Sequence, residues 1–167
     1  MTSPTTTCRC NEEHKVIDIE RGFFYLAHPF SVRYPDGRRN REAEAANFRL
    51  ATHRAAVLLK TGIVVFSPIT HSHPIDRSFP EFLVEETELE WYKIDNAIIS
   101  RTDFDGIILA PGWCWSKGCK DENTLFSKRG LLCLGYEEIL RLATENPDKL
   151  KAMVRTIRAG VESKKDE

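Results

Sequence analysis

Four apolar runs, separated by longer segments of mixed character, set the pattern of this chain. The runs are "GFFYLAHPF", "IVVFSP", residues 106–110 and "LLCLG". None alternates apolar and polar residues, which is typical of strands that are buried on both faces. Because such runs alternate with helical patterns, we expect a parallel sheet of four to five strands with helices on both faces. This is a three-layer α/β sandwich of the flavodoxin or Rossmann kind.

The segment that starts at Arg41 shows the clearest helical periodicity. Apolar residues recur there at steps of three and four, and Gly62 follows as a helix-end signal. These positions are Ala45, Phe48, Ala51, Ala55 and Leu58. The preceding loop carries Arg38, Arg39 and Arg41, a basic cluster that favours a solvated loop and helix start over a small-anion site.

A second helical stripe starts at Leu83 and leaves Asp95 on its flank, where a side chain is half-exposed. The stripe comprises Leu83, Thr87, Trp91, Ile94 and Ile98. Further helices are predicted after the loop at 112–122, in "YEEILRLATEN" and over about 148–159. The segment "ITHSHPIDRSFPEF" is expected to lack regular structure because it contains Pro74 and Pro80.

Length and charge indicate the organisation and exclude two kinds of partner. The 167 residues predict a flexible arm over 1–20, a single domain over 21–160 and a frayed tail over 161–167. The 24 basic residues nearly balance 25 acidic ones, which argues against nucleic-acid binding. No apolar run approaches the roughly 20 residues of a membrane span, and the start does not resemble a signal peptide. We therefore expect a cytoplasmic protein with no membrane partner.

Polar motifs follow three of the predicted strands. His28-Pro29-Phe30-Ser31 follows the first, residues 67–76 follow the second, and "GWCWSKGCKDE" at 112–122 follows the third. Ligands bind at the carboxyl edge of open parallel sheets, so these motifs predict a site there. No dinucleotide, nucleoside-triphosphate or serine-hydrolase motif is present, and no cofactor is expected.

The stretch at 112–122 combines an anion cradle with an acid. Ser116 offers a hydroxyl and Gly118 a backbone without Cβ beside a helix start, which suits a phosphate. Glu122 lies one turn deeper. Taken alone, Glu122 is typical of a first-turn helix acid, but beside this cradle it is a candidate nucleophile.

Each of the other candidate residues has a structural interpretation as well as a functional one. Asp95 is either a surface acid of its helix or a functional acid that borders the apolar stripe. His71 and His73 favour substrate contact or backbone capping over a metal site, because the further ligands of H-x-H metal enzymes are lacking. Cys114 and Cys119 are not a redox pair and are expected to fill space, and Cys8-x-Cys10-x3-His14 matches no zinc arrangement, so no metal is predicted.

Four motifs in order carry a family resemblance. The stretches "FYLAHPFS", "GIVVFSPITHSHPI", the helix with Asp95 and "IILAPGWCWSKGCKDE" together resemble an uncharacterised bacterial and phage family. That family is related to nucleoside 2-deoxyribosyltransferases and deoxynucleoside 5′-monophosphate N-glycosidases, and the resemblance covers about 23–130. It implies a flavodoxin-like fold, a homodimer or higher oligomer, Glu122 as the nucleophile that attacks the sugar, and Asp95 as the acid that assists departure of the base.

The resemblance also bears on the substrate. By this resemblance, Ser116 matches a position that is an aspartate in the transferases, where it contacts a 5′-hydroxyl. In the glycosidases the same position is a serine that helps to bind a 5′-phosphate. His28 replaces a common glycine and is expected to contact substrate with Pro29, Phe30 and Ser31. The residues considered for stacking on the base are Tyr25, Phe30 and Trp113. His71 and His73 lie outside the shared pattern and receive no role by resemblance.

The leading hypothesis is an enzyme that cleaves the N-glycosidic bond of a (deoxy)ribonucleoside 5′-monophosphate through a glutamate glycosyl ester. Base exchange between deoxyribonucleosides is the alternative within the same chemistry. A nucleotide-binding sensor without turnover and a structural domain with a protein partner are the alternatives outside it.

Overall fold

The structure of the protein is a computed structural model that describes residues 18–78 and 87–163. Its centre is a sheet of four parallel strands in the order β2-β1-β3-β4. The strands are β1 (Phe23–Ala27), β2 (Val64–Phe66), β3 (Gly106–Leu109) and β4 (Leu132–Gly135). The predicted parallel α/β sandwich is confirmed, with four strands in the described chain.

In the described residues, six α-helices cover both faces of the sheet; four of them lie between successive strands and two follow the last strand. They are α1 (Arg41–Lys60), α2 (Pro68–Ser78), α3 (Thr87–Arg101), α4 (Lys117–Lys128), α5 (Tyr136–Glu145) and α6 (Pro147–Ser163). Within residues 18–78 and 87–163, no helix combines the length and apolar character that a membrane span needs.

Strand β1 divides the interior into two apolar clusters. Phe24 and Leu26 point to one face, where they pack with residues of α1, α5 and α6. Tyr25 and Ala27 point to the other face, where they pack with residues of α3 and α4. Successive side chains of a strand alternate between faces, so an unbroken apolar run is what a strand covered on both sides requires.

Asp105 joins the amino end of the sheet to α6. Its Oδ2 accepts a hydrogen bond from the backbone N–H of Phe23 at 2.7 Å. The guanidinium of Arg158 donates to both carboxylate oxygens, each at 2.8 Å. The side chain of Asp105 is only 5% exposed, so this bidentate pair replaces the water that the carboxylate loses on folding.

Several sequence predictions need correction at the element boundaries. Residues 68–78 form a helix despite Pro74, which removes one backbone donor but is tolerated where α2 packs on α1 and β1. Ile94 is exposed, and Ile99 of α3 is buried. The predicted positions Pro80 and Leu83 lie outside the described residues.

The ends of the domain also differ from the prediction. Residues 18–20, expected in a flexible arm, contact α6: Lys151 Nζ lies 2.8 Å from Asp18 Oδ2, and Arg155 lies 3.1 Å from Glu20. Helix α6 continues to Ser163, into the expected tail, because Val161 packs on the second apolar cluster.

We expect Asp105→Ala to lower the free energy of unfolding by about 3 kcal/mol, because it leaves the Arg158 guanidinium and the Phe23 N–H without their acceptor. Urea unfolding followed by circular dichroism measures this loss. The matched control is Asp36→Ala, whose carboxylate pairs with Arg38 in an exposed turn; this variant should leave the free energy of unfolding nearly unchanged. Equal losses in the two variants would contradict a structural role for Asp105.

Candidate active site at the carboxyl edge of the sheet

A cavity of about 560 Å³ lies where the carboxyl ends of β1, β2 and β3 meet. The three polar motifs predicted to lie at this edge all contribute to its lining. Its lining includes His28, Phe30, Ser31, His73, Asp76, Trp91, Tyr92, Asp95, Trp115, Ser116, Lys117, Gly118, Cys119 and Glu122. The predicted location of the site is therefore a real concavity of the fold.

Glu122 is held in the cavity by a hydrogen bond from the centre of the sheet. The phenol of Tyr25 donates to Glu122 Oε1 at 2.7 Å. Burial raises the pKa of Glu122 to about 8; the bond from Tyr25 opposes this rise, and the charges of Asp95 and Asp121 add to it. At neutral pH the carboxyl of Glu122 is therefore mostly protonated in the free protein.

Asp95 is the second carboxyl of the cavity. It lies on α3 and is partly buried, as its position on the flank of the apolar stripe predicts. Burial raises its pKa to about 6. Burial therefore favours the protonated form of both carboxyls in the cavity.

The amino end of α4 forms the opposite wall. Ser116 is the N-cap residue, and its Oγ accepts from the backbone N–H of Cys119 at 3.4 Å. Ser116 also lines the cavity, where a hydroxyl can donate one hydrogen bond to a ligand. The first backbone N–H groups of a helix lack acceptors within the helix, so those of Lys117 and Gly118 are donors for an anion. Among the described residues, a Cβ at Gly118 would have only Ser116 Oγ within 4 Å, at 3.9 Å, so this approach is open.

His28 contributes its ring, with both nitrogens already engaged. Its Nδ1 lies 2.8 Å from the carbonyl oxygen of Pro29, and Arg54 Nη1 lies 2.6 Å from its Nε2. A carbonyl only accepts and a guanidinium only donates, so Nδ1 carries the proton and Nε2 accepts. Burial lowers the pKa of His28, with a smaller contribution from the charge of Arg54. The ring is therefore neutral. Pro29 takes part through its backbone and does not line the cavity.

The aromatic residues are placed differently from the prediction. Phe30 lines the cavity, whereas Tyr25 is fully buried among Phe66, Phe104 and Phe126 and has no face free for a base. Trp113 packs against the second apolar cluster, and Trp115, which is 89% exposed, lines the cavity instead.

The turn that contains the two tryptophans explains this exchange. Both lie in a 3-10 turn that starts after Gly112, whose φ of 86° is a left-handed conformation that favours glycine. Residues two apart in such a turn point in different directions, so only one of the two indoles can face the sheet. The sequence predicts that one indole lines the site while the other packs against the sheet or across an interface, but not which tryptophan does which.

His71 and His73 lie on α2, where residues two apart point to different sides of the helix. His73 lines the cavity and contacts the rings of Phe30 and Phe48 at 5.4 and 4.4 Å between centroids. His71 is exposed, and its ring lies 6.3 Å from that of Phe66. The two imidazoles therefore do not converge. In the described part of the chain, no group of three or more His, Cys, Asp or Glu side chains is arranged for a metal ion.

The cysteines of the site have unlike environments. Cys119 is buried beside Ser116 and lines the cavity, and burial raises the pKa of its thiol to about 12. Cys114 is exposed, so the expectation that both fill space is correct for Cys119 and wrong for Cys114.

A charged network at the far wall was not predicted. The carboxylate of Glu44 is 1% exposed and lies 2.8 Å from Arg39 Nε and 3.5 Å from Arg41 Nη1. Arg41 Nη1 also lies 3.9 Å from Asp76 Oδ2. Of the basic cluster expected in solvent, Arg38 is exposed, while Arg39 is held by this buried carboxylate.

The fold and the cavity define a three-layer α/β protein with a candidate site at the carboxyl edge of its sheet. Comparison with protein families identifies the family of the chain: the model of the family described as "Domain of unknown function (DUF1937)" matches residues 22–138. The chain belongs to this family. The matched region includes all four strands and every lining residue named above. A comparison with curated proteins found no match.

The raised pKa of Glu122 predicts a pH-dependent loss of stability. Folding raises this pKa from 4.5 to about 8, so the folded state binds the proton more tightly, and stability falls as pH rises between these values. Glu122→Gln removes this dependence. The free energy of unfolding of Glu122→Gln, relative to that of the wild type, should therefore increase by up to about 1.4 kcal/mol per pH unit within that window.

Urea unfolding at pH 5, 6, 7 and 8 tests this stability difference. Glu145→Gln, at an exposed position at the end of α5, is the matched control and should follow the wild type at each pH. A constant difference between Glu122→Gln and the wild type would contradict the raised pKa.

Proposed function

We propose that this protein cleaves the N-glycosidic bond of a (deoxy)ribonucleoside 5′-monophosphate, with Glu122 as the nucleophile. The observation that carries the proposal is the hydrogen bond of 2.7 Å by which Tyr25 holds the Glu122 carboxyl in the cavity, one turn beyond the start of α4. This arrangement suits a ligand with a phosphate and a reactive carbon separated by a sugar. The sequence resemblance to nucleotide N-glycosidases agrees with it.

The phosphate is assigned to the amino end of α4. Donors there are the Ser116 hydroxyl, the first backbone N–H groups and the side chain of Lys117, which lines the cavity. None of these groups carries a negative charge, so a dianionic phosphate meets no repulsion from them. Glu122 then lies beside the sugar, and Asp95 lies beside the base.

In the first step, the free oxygen of Glu122 attacks the anomeric carbon while the bond from that carbon to the base nitrogen breaks. Asp95 gives its proton to the departing base. In the second step, Asp95 removes a proton from a water molecule, which attacks the same carbon and breaks the ester to Glu122. The products are the free base and the sugar 5-phosphate, and both carboxyls return to their starting states.

The protonation states require one rearrangement before attack. Burial raises the pKa of Glu122 to about 8 and that of Asp95 to about 6, so it favours the protonated form of each carboxyl. Attack needs Glu122 ionised and Asp95 protonated. Substrate binding therefore has to favour loss of the proton from Glu122. The bond from Tyr25 assists, because it favours the ionised form of Glu122.

The proposal includes a homodimer or higher oligomer. Trp115 and Tyr92 are 89% and 46% exposed, and both line the cavity. Large apolar side chains in such positions are typical of surfaces that a ligand or a second subunit covers.

The decisive experiment is incubation of the protein with ribo- and deoxyribonucleoside 5′-monophosphates, with and without free acceptor bases, followed by chromatography for released base. We expect release from at least one monophosphate and a loss of at least about 1000-fold in Glu122→Ala, because the covalent step is removed. Release that needs an acceptor base would indicate base exchange instead. Tight binding without release by the wild type would indicate a sensor and contradict the proposal.

Gly118→Ala tests the phosphate position. The added methyl has room beside Ser116 Oγ, so folding is retained, but it obstructs the path of a phosphate to the backbone. We expect KM for the monophosphate to rise about tenfold, as for the loss of one charge-assisted hydrogen bond. Gly160→Ala, on α6 with no atom within 4 Å of its Cβ, is the matched control and should leave KM unchanged. Equal KM values for Gly118→Ala and Gly160→Ala would indicate that the phosphate does not bind at the start of α4.

A further inference from the structure

The face of α2 that carries His73 and Asp76 lines the cavity and has no part in the steps above. The two residues are three positions apart and therefore share one side of the helix. They belong to the stretch "THSHPID", which lies outside the resemblance to characterised enzymes. This face lies next to α3, because Trp91 Nε1 donates to Asp76 Oδ1 at 3.4 Å.

Asp76 contacts α3 on the amino-terminal side of Asp95. The charge of Asp95 acts on Glu122, and both carboxyls line the cavity. Trp91 precedes Asp95 by four residues on α3, which is about 6 Å along the helix axis. Trp91 Nε1 donates to Asp76, so Asp76 meets α3 about one turn before Asp95. In the proposed binding mode, with the sugar beside Glu122 and the base beside Asp95, the far edge of the base is assigned to Asp76.

The carboxylate of Asp76 has acceptor capacity to spare. Its side chain is 9% exposed, with the Trp91 N–H and, at 3.9 Å, Arg41 as its neighbours. An ionised carboxylate has about four acceptor positions and no donor. A buried carboxylate is stabilised by further donors, and the cavity is the side from which a ligand can supply them.

The geometry points to Asp76 as the residue that selects the base, by accepting hydrogen bonds from a base edge with two adjacent N–H donors, as guanine has. This inference rests on the proposed function. Adenine and cytosine place an acceptor beside their amino group, and that acceptor would face the carboxylate. Thymine and uracil offer one N–H between two carbonyls. Guanine alone among the common bases matches both oxygens.

The neighbouring rings complete a pocket for a flat ligand. His73 is held between Phe30 and Phe48, with ring centroids 5.4 and 4.4 Å away. Phe30 and Trp91 also line this part of the cavity. Their faces pack on any base, so they supply affinity while the edge contact to Asp76 supplies the selection.

The test compares kcat/KM for dGMP, dIMP and dAMP in the wild type, Asp76→Asn and Asp148→Asn. For the wild type we expect dGMP to exceed dAMP at least tenfold, with dIMP between them because it lacks only the second donor. An amide offers one acceptor and one donor, so Asp76→Asn should lose about tenfold on dGMP and favour dAMP. Asp148→Asn, at an exposed position at the start of α6, should keep the wild-type order.

Binding of the same nucleotides to Glu122→Gln, measured by calorimetry, separates this inference from the proposed function. An Asp76-dependent preference for dGMP in binding, without turnover by the wild type, would support the base contact and overturn the glycosidase. Turnover that is equal for the three nucleotides, or unchanged in Asp76→Asn, would overturn the base contact and leave the glycosidase standing. No binding and no turnover would overturn both.

Discussion

Burial of a tyrosine hydroxyl inside an apolar sheet is the constraint on which the candidate site depends. β1 lies between two strands and is covered on both faces, and Tyr25 at its centre is fully buried. A hydroxyl in that position must find a hydrogen-bond partner. The partner is Glu122, so the packing of the core and the direction of the candidate nucleophile are decided by one contact.

The same contact explains why the site is electrostatically strained. Holding Glu122 against Tyr25 removes the carboxyl from water, and Asp95 adds a second acid beside it. Ionising both carboxyls is unfavourable until positive charge develops nearby. Cleavage of an N-glycosidic bond develops such charge on the sugar in its transition state. In the proposed reaction, strain in the free protein would thus become stabilisation of the transition state.

The fold followed from the sequence because its signals are local. Unbroken apolar runs indicate strands buried on both faces, and such strands place their carboxyl ends at one edge, so the positions of Ser116 and Glu122 could be predicted. The features that the sequence did not predict depend on contacts between different elements of the chain. α2 keeps its helix through Pro74 because α1 packs on it, and Glu44 is buried because Arg39 reaches it from the preceding loop. No local pattern decides between Trp113 and Trp115, because only the approach of the sheet determines which indole is covered.

The distribution of charge along the cavity gives the proposed ligand a direction. Lys117 and the amino end of α4 contribute positive potential at one end, while Asp95 and Asp76 follow along α3 and α2. At the far end, the charge of Arg39 is matched by the buried Glu44. A nucleotide bound in reverse would bring its phosphate towards the two aspartates and its base to the helix end. In the forward direction the phosphate meets donors, Glu122 meets the sugar, and the donor edge of the base meets Asp76. The distribution of charge along the cavity therefore agrees with the order of phosphate, sugar and base that the proposed reaction requires.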